Sequence, residues 1–305
     1  MARFNRVYRL LVGKGGTKGY EIVPPIRLAF EVTKDVNEEP NDHKIRLYNL
    51  APATRKSLEE PGLRCVLYAG YAEEGGPILM ASGSIVFAYT KFDQPDVVTE
   101  LIVKDGYTEV RDTAVSIGLG QGALASSIIR DIARQMGLSL MMADDVPDRT
   151  WVNGFSFYGA ARTALHKVTQ GTGLEWSIQN QQLQVLQRGG TTRRQAVVLA
   201  VDTGLLGHPE RVREAAQEKA KPKGKPANDA ANPVSAHQER DGWSVKSLLL
   251  PMINPGDLVK LESRTVEAFQ RVEKVQHKGD SETGDWLTEL NLVDRYAPAK
   301  KKDKK

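Results

Sequence analysis

A mainly β chain carrying one α+β insert is predicted by three observations. Apolar residues recur at every second position through the first hundred or so residues, a 3.6-residue period replaces that alternation from about residue 111, and the alternation returns beyond residue 242. The expected architecture is two tube-like β-barrel or sandwich domains, residues 1–110 and residues 191–206 with 242–297, around a small duplicated helix–strand domain at 111–190. Residues 207–241 are expected to be a disordered or surface insertion, and residues 298–305 a Lys-rich tail.

In the first domain Ile26, Leu28, Phe30 and Val32 alternate with Arg27, Ala29, Glu31 and Thr33, the pattern of a strand with one buried face. Ile45, Leu47 and Leu50 follow the polar turn Pro40-Asn41-Asp42, and Leu63 to Tyr71, Ile78 to Tyr89 and Val97 to Val103 continue the series. One helical turn is predicted from Pro52 to Leu58, because proline at an early helical position fixes φ and needs no amide partner. In the insert, Leu124, Ile128, Ile129, Ile132 and Met136 lie on one helical face that ends at Gly137, and Ala161, Leu165 and Val168 define a second helix over Ala160 to Thr169. The two belong to similar units: Gly137-Leu138-Ser139-Leu140 matches Gly173-Leu174-Glu175-Trp176, and at the same offset Gly118 meets Gly154, Ile129 meets Leu165 and Ile132 meets Val168. The stretch His208 to Asp241, with Lys-Pro-Lys-Gly-Lys-Pro at its centre, has too little apolar content to offset the entropy of ordering. Beyond it, Ser247 to Leu250, Leu258 to Leu261, Phe269 to Val275 and Trp286 to Val293 return to strands, and Gln195 to Val201 is assigned to the same barrel.

The 42 basic and 38 acidic residues give a net charge of +4, which invites a nucleic-acid reading. The last six residues carry five lysines against Asp303, so the remaining 299 are neutral and the excess is a tail rather than a basic surface. A single cysteine, Cys65, excludes an internal disulfide and any cysteine-only metal site, and its place in Leu63-Arg64-Cys65-Val66-Leu67-Tyr68 reads as a small core residue. No apolar h-region follows the basic N-terminus and no window has the ~18 apolar residues of a membrane span, so a soluble protein without a span is expected.

Gly118-Leu119-Gly120-Gln121-Gly122-Ala123 fits G-x-G-x-x-G/A, precedes a helix and is followed by Asp144 and Asp145 about twenty residues on. Such glycines let backbone amides approach a pyrophosphate at a helix N-terminus, but the motif counts only inside a parallel sheet, and the flanks here read as antiparallel. Gly118, Gly120 and Ala123 are therefore taken as a decoy, with no cofactor assigned. Gly13-Lys14-Gly15-Gly16-Thr17 lacks the G-K-[ST] ending of a phosphate loop and is read as a hairpin turn. His43, His166, His208, His237 and His277 are scattered without ligand spacing, so no metal is expected and solvated or locally hydrogen-bonded rings are the default. The pairs Glu38-Glu39, Glu59-Glu60, Glu73-Glu74 and Asp144-Asp145 sit in turn-like contexts and read as solvated, and no G-x-S-x-G elbow anchors a hydrolase triad. No catalytic residue is assigned.

Several strings, taken in order, carry a resemblance. They are Ile26 to Lys34 (I-R-L-A-F-E-V-T-K), Asn41 to Arg55 (N-D-H-K-I-R-L-Y-N-L-A-P-A-T-R), Ala69-Gly70-Tyr71, Ser82-Gly83-Ser84-Ile85, Ser247 to Asp257 (S-L-L-L-P-M-I-N-P-G-D) and Arg271 to Asp280 (R-V-E-K-V-Q-H-K-G-D). With them the sequence resembles the baseplate hub, or tail hub, proteins of contractile-tailed bacteriophages, related to the late-control D group and to the hub half of type VI secretion spikes. The resemblance implies a structural protein of the virion baseplate. Three copies would form a ring whose two barrels per chain present six similar units around a central channel, adapting a six-fold tail tube to a three-fold spike. It implies as partners further copies of the chain, a tail tube or tube-adaptor protein, the central spike, and a baseplate wedge or tape-measure protein, with DNA passing through the channel during genome ejection and no cofactor. The insertion is longer than the resemblance leads one to expect, and Ala268 stands where glycine is expected before Phe269. A carbohydrate-binding or other binding module, and a nucleotide-dependent enzyme using the Gly118 to Ala123 loop, remain as alternatives.

Overall fold

The computed structural model describes residues 5–15, 19–143, 146–192, 195–214 and 240–296. The N-terminal lobe contains β1 (Arg6–Gly13), β2 (Tyr20–Ile22), β3 (Leu28–Asp35), β4 (Asp42–Tyr48), helix α1 (Pro52–Leu58), β5 (Arg64–Tyr71), β6 (Gly76–Asp93) and β7 (Asp96–Lys104). Its strands are hydrogen-bonded in the order β3-β4-β7-β6-β5-β1-β2, each pair antiparallel. The alternation in the sequence is the inside and outside of this sheet: β3 buries Leu28, Phe30, Val32 and Lys34, and β4 buries His43, Ile45 and Leu47. Helix α1 starts with Pro52, as its sequence predicts, and contributes Leu58 to the core.

The middle unit contains α2 (Tyr107–Asp112), β8 (Ala114–Leu119), β9 (Ala123–Leu124), α3 (Ala125–Met136), β10 (Ser139–Met142), β11 (Thr150–Trp151), β12 (Phe155–Ala160), α4 (Ala161–Thr169), β13 (Leu174–Gln179) and β14 (Gln182–Gln187). The internal similarity is a duplicated strand–helix–strand. Strands β8 and β12 pair antiparallel, and the matched residues Ile129 and Leu165, Ile132 and Val168 are all fully buried in one core. Gly137 and Gly173 both adopt left-handed φ, 70° and 73°, where each chain leaves its helix and turns into a strand. Helix α2 was not legible in the sequence; its one and a half turns are too short for a period to register.

The C-terminal lobe contains β15 (Val197–Leu199), β16 (Leu205–Glu214), β17 (Arg240–Leu248), β18 (Leu258–Glu262), β19 (Glu267–Asp280) and β20 (Trp286–Tyr296), around a core of its own. The expectation that 207–241 as a whole is an insertion is corrected at both ends. Residues up to Glu214 form β16, which pairs with β17 from Arg240 onward, and Leu205 and Val245 of this pair are buried in the C-terminal core. Residues 215–239, and the Lys-rich tail, lie outside the described residues.

The two strand-rich ends are not separate sheets. β19 is 14 residues long and pairs with β18 through Glu267–Arg271, then with β3 through Lys274–Asp280 on the same side, so the path β16-β17-β20-β19-β3-β4 runs without a break between lobes. A register shift between Val272 and Lys274, against β20, marks the changeover. Beyond it the β19–β20 hairpin feeds the first core: Trp286 packs edge-on against Phe30 with ring centroids 5.1 Å apart, and Gly279 leaves the room, since a Cβ there would lie 2.3 Å from the Phe30 ring. Arg6 clamps the same hairpin through the Asp280 and Gly284 carbonyls at 2.7 and 2.8 Å.

Candidate functional site

The lobes and the middle unit meet at a junction that is buried but polar. On the inner face, the paired positions run across the sheet as Val103, His43, Val32, His277, Thr288 and Ser247 on β7, β4, β3, β19, β20 and β17. All six are essentially inaccessible to solvent. His277 Nδ1 lies 2.9 Å from Thr288 Oγ1, while its Nε2 has no hydrogen-bond partner among the described residues. Lys34, two residues along β3 from Val32, is fully buried and donates to Asn254 Oδ1 at 2.8 Å. Burial, then the nearby Lys34 ammonium, depress the basicity of both imidazoles; His43 falls to about 3, with a contact to the Asp42 backbone acting weakly the other way, and His277 lies well below the ordinary histidine range, His43 adding to the same effect.

The segment Leu249–Asp257 crosses this inner face. Leu250 N donates to Thr288 Oγ1 at 2.9 Å over β20, Asn254 reaches Lys34 over β3, and Gly256 N donates to the Val272 carbonyl at 2.7 Å. The middle unit and the chain just after it grip the same segment: Gln184 Nε2 donates to the Pro255 carbonyl at 2.9 Å and Thr192 N to the Gly256 carbonyl at 2.9 Å. A Cβ on Gly256 would sit 2.8 Å from Gln184 and from Leu186, and φ there is +87°, so this close approach requires glycine.

Two further contacts fix the middle unit. The β13–β14 hairpin turns through Asn180 and Gln181, both at positive φ, and the amides of both donate to the buried Asp105 carboxylate at the end of β7. Asn41 Nδ2 donates to the Ile178 carbonyl at 3.0 Å, and Gln179 Nε2 to the Asp35 carbonyl at 2.7 Å. Burial raises the Asp105 carboxyl to about 7 against the opposing pull of the Gln181 amide, Lys34 and the Asn180 amide, with Glu109 adding to the rise. On the C-terminal side, Arg271, 5% exposed, bridges Glu175 of β13 and Glu273 of β19, the second at 3.3 Å. Burial raises the Glu175 carboxyl against the pull of that guanidinium.

The sequence-designated glycines lie elsewhere. Gly118 pairs with Ser156 within the antiparallel β8–β12 ladder, and Ala123 pairs with Trp151. Gly120 falls in the loop between β8 and β9. The Gly122 amide donates to the Trp151 carbonyl at 3.1 Å and the Ala125 amide to the Arg149 carbonyl at 2.9 Å, while Asp148 accepts from Ser126 N at 2.9 Å and Ser126 Oγ at 2.7 Å. The anion position at the start of α3 is thus filled by a carboxylate of the chain itself. Parallel pairs among the described residues are confined to β10–β14 and β15–β18, neither of which holds these glycines. Asp144, Asp145, His237 and the tip of the β1–β2 hairpin lie outside the described residues.

Among the described residues no group of three or more His, Cys, Asp or Glu is placed to hold a metal ion, and no helix is long and apolar enough to cross a membrane. Glu38 and Glu39 face His166 and Arg162 of α4 at 3.7 and 3.8 Å. The junction residues Lys34, His43, Asp105, Arg271 and His277 were not singled out as a site from the sequence. A signal for three of them existed: period two carried forward from Val32, backward from Ile45 and forward from Val275 puts Lys34, His43 and His277 on buried faces.

This fold, two sheet lobes sharing a strand pair with a duplicated α+β unit between them, is that of phage tail proteins. A tail protein from Neisseria meningitidis superposes with a TM-score of 0.61 at 12% identity, over 94% of this chain and 96% of that one. The 43 kDa tail protein of prophage MuSo2 from Shewanella oneidensis gives 0.59 at 11% identity over 94% and 97%. An Escherichia coli component of the type VI secretion system, itself described as structurally similar to the T4 tail proteins gp27 and gp5, gives 0.57 at 11% identity over 92% and 76%. No protein-family model and no curated protein matches the sequence.

Proposed function

We propose that this chain is a non-catalytic structural component of a phage-type tail, the baseplate hub, and that three copies close into a ring with a central channel joining a six-fold tail tube to a three-fold spike. The observation that carries the reading is the fold itself: the superpositions on tail proteins of Neisseria and Shewanella run across both lobes and the middle unit, nearly end to end in both chains. Two sheet lobes joined through β3 and β19 give each chain two wall segments in one continuous sheet, which is what a three-fold ring needs in order to present six.

The outer face of the continuous sheet suits a channel wall. Part of its charge is paired across strands, Lys104 with Asp42 at 2.8 Å, Arg46 with Glu100 at 2.9 Å, Lys278 with Glu289 at 3.1 Å and Lys246 with Glu289 at 3.3 Å, while the exposed Lys44 and Lys274 of the same face make no ion pair among the described residues. A polyanion is held by rows of uncompensated cations that displace its counterions, so pairing most of these cations weakens the hold on DNA passing during ejection. The spike, the tube or its adaptor, and a wedge or tape-measure protein are the partners of this reading, and the virion baseplate is its location.

Light scattering after size exclusion tests it. A monomer and trimer mixture is expected for the isolated chain, shifted to trimer by the cognate spike. A stable two-fold dimer, or a strict monomer with the spike in excess, would refute the ring.

A further inference from the structure

We propose that copies of this chain join by strand addition: the open edge of β6, residues 87–91, receives residues 210–214 of β16 from the next copy, antiparallel and with Lys91 opposite Glu210. The inference rests on the ring reading and assigns the surfaces that close it.

The chain holds the template for this joint. Strands β3-β4-β7-β6-β5 of the first lobe and β16-β17-β20-β19-β18 of the second lie in the same spatial order, and each set is traced in the same order along the sequence. In each lobe the fourth strand in sequence is the long one. It pairs first with the strand before it, β6 with β5 through 76–84 and β19 with β18 through 267–271. A register shift against the strand after it follows, between Ile85 and Phe87 on β6 and between Val272 and Lys274 on β19. Beyond the shift the lobes differ. On β19, residues 274–280 take up β3, the first strand of the other lobe. On β6, residues 87–93 pair with β7 alone among the described residues, and β16, which occupies the position of β3, pairs with β17 alone. Both halves of a second joint are therefore present and open. Within one chain β17, β20, β19, β3, β4 and β7 separate them in the strand path, so a head-to-tail contact between copies is what brings them together.

The register follows pair by pair. In the first lobe Glu31, Lys44, Ile102 and Phe87 are successive partners across β3, β4, β7 and β6. Their counterparts across β16, β17, β20 and β19 are Glu210, Ser244, Asn291 and Lys274. Lys278 of β19 stands opposite Glu31, so its counterpart Lys91 on β6 stands opposite Glu210, and the opposed charges are the same in both joints. Tyr89 then comes opposite Val212, an aromatic and β-branched pair on the outer face. Beside it lies Phe87, 60% exposed in the single chain, with its ring centroid 5.3 Å from that of Tyr89. On the inner face Ala88 comes opposite the exposed Arg213. There Thr90 Oγ1 donates to Glu59 Oε1 at the end of α1 at 3.3 Å, so the incoming cation meets an acidic helix end. Pro209, which has no amide to give a ladder, falls just outside these five pairs.

Oxidative cross-linking of the full chain tests the register. The chain carrying both Lys91→Cys and Glu210→Cys should yield covalent dimer and trimer that return to monomer on reduction, because directly opposed residues bring their Cα atoms within disulfide range. Lys91→Cys with Arg213→Cys puts the second thiol on the opposite face and should give about tenfold less. All three positions are exposed, so the substitutions leave the cores intact, and the buried Cys65 stays out of the reaction. Lys91→Glu and Glu210→Lys should each lower the trimer association constant read by light scattering about tenfold, since the clash recurs at every joint, and the two together should restore it. A trimeric wild type in which neither cysteine pair cross-links, in which both do so equally, or in which charge reversal changes nothing would overturn this joint and leave the ring standing. A wild type that stays monomeric with the spike in excess would overturn both.

Discussion

Replacing Arg271 with methionine isolates what holds the middle unit to the C-terminal lobe. The guanidinium is 5% exposed and lies between Glu175, 18% exposed, and Glu273, 6% exposed. Methionine keeps most of the volume but removes the guanidinium that bridges the Glu175 and Glu273 carboxylates in a buried interface, while Arg188 still acts on Glu175. Removing one partner from a buried ion cluster costs about 3–5 kcal/mol, far more than the cluster contributes over an apolar replacement, because the loss is the desolvation of the charges left behind. The pH dependence checks that cause. Burial already raises the Glu175 carboxyl, and losing the cation raises it further, so the variant's folded form gains a proton that the unfolded form, near 4.5, does not hold. Stability is then lost as pH rises through the folded pKa and regained below it, by up to ~1.4 kcal/mol per unit. Urea unfolding followed by tryptophan fluorescence, which includes the buried Trp176 beside Glu175, should show the full cost at pH 7.5 and a smaller one at pH 5. Arg271→Met with Glu175→Gln should recover part of it. A cost under about 1 kcal/mol at pH 7.5, or one that grows on acidification, would refute the reasoning.

Gly242→Ala should destabilise the β17–β20 ladder by about 1–3 kcal/mol or more, since its Cβ would fall 1.9 Å from the Leu292 carbonyl oxygen and backbone cannot step aside as a side chain can. Gly118→Ala, with nothing within 4 Å, is the silent control, both read by chemical denaturation. Cys65, whose thiol burial and then Asp105 push up to about 12, should resist a thiol reagent at pH 8 in the native protein and react on addition of urea. Titration with NAD, FAD or ATP should leave the melting temperature unchanged. A site filled at a hundredfold over its Kd would add ~2.7 kcal/mol, and a saturable rise would restore the Gly118 to Ala123 loop as a binding site.

The sequence alone determined much of what depends on neighbours along the chain. Period two marked β3 through β7, Pro52 opened α1, Gly137 closed α3, and the 36-residue offset linking Gly137 to Gly173 exposed the duplicated unit, because each is a local geometric requirement repeated at fixed spacing. The same locality explains what failed. Residues 207–214 read as part of a polar insertion, since a strand is an open edge in sequence and becomes a strand only when β17, some thirty residues on, supplies its ladder. The fusion of the lobes through β3 and β19, a pairing of Asp35 with Lys274, is likewise invisible to any window. So is the junction. Period two placed Lys34, His43 and His277 inward, but only tertiary packing brought them close enough for burial and the Lys34 charge to depress both imidazoles together.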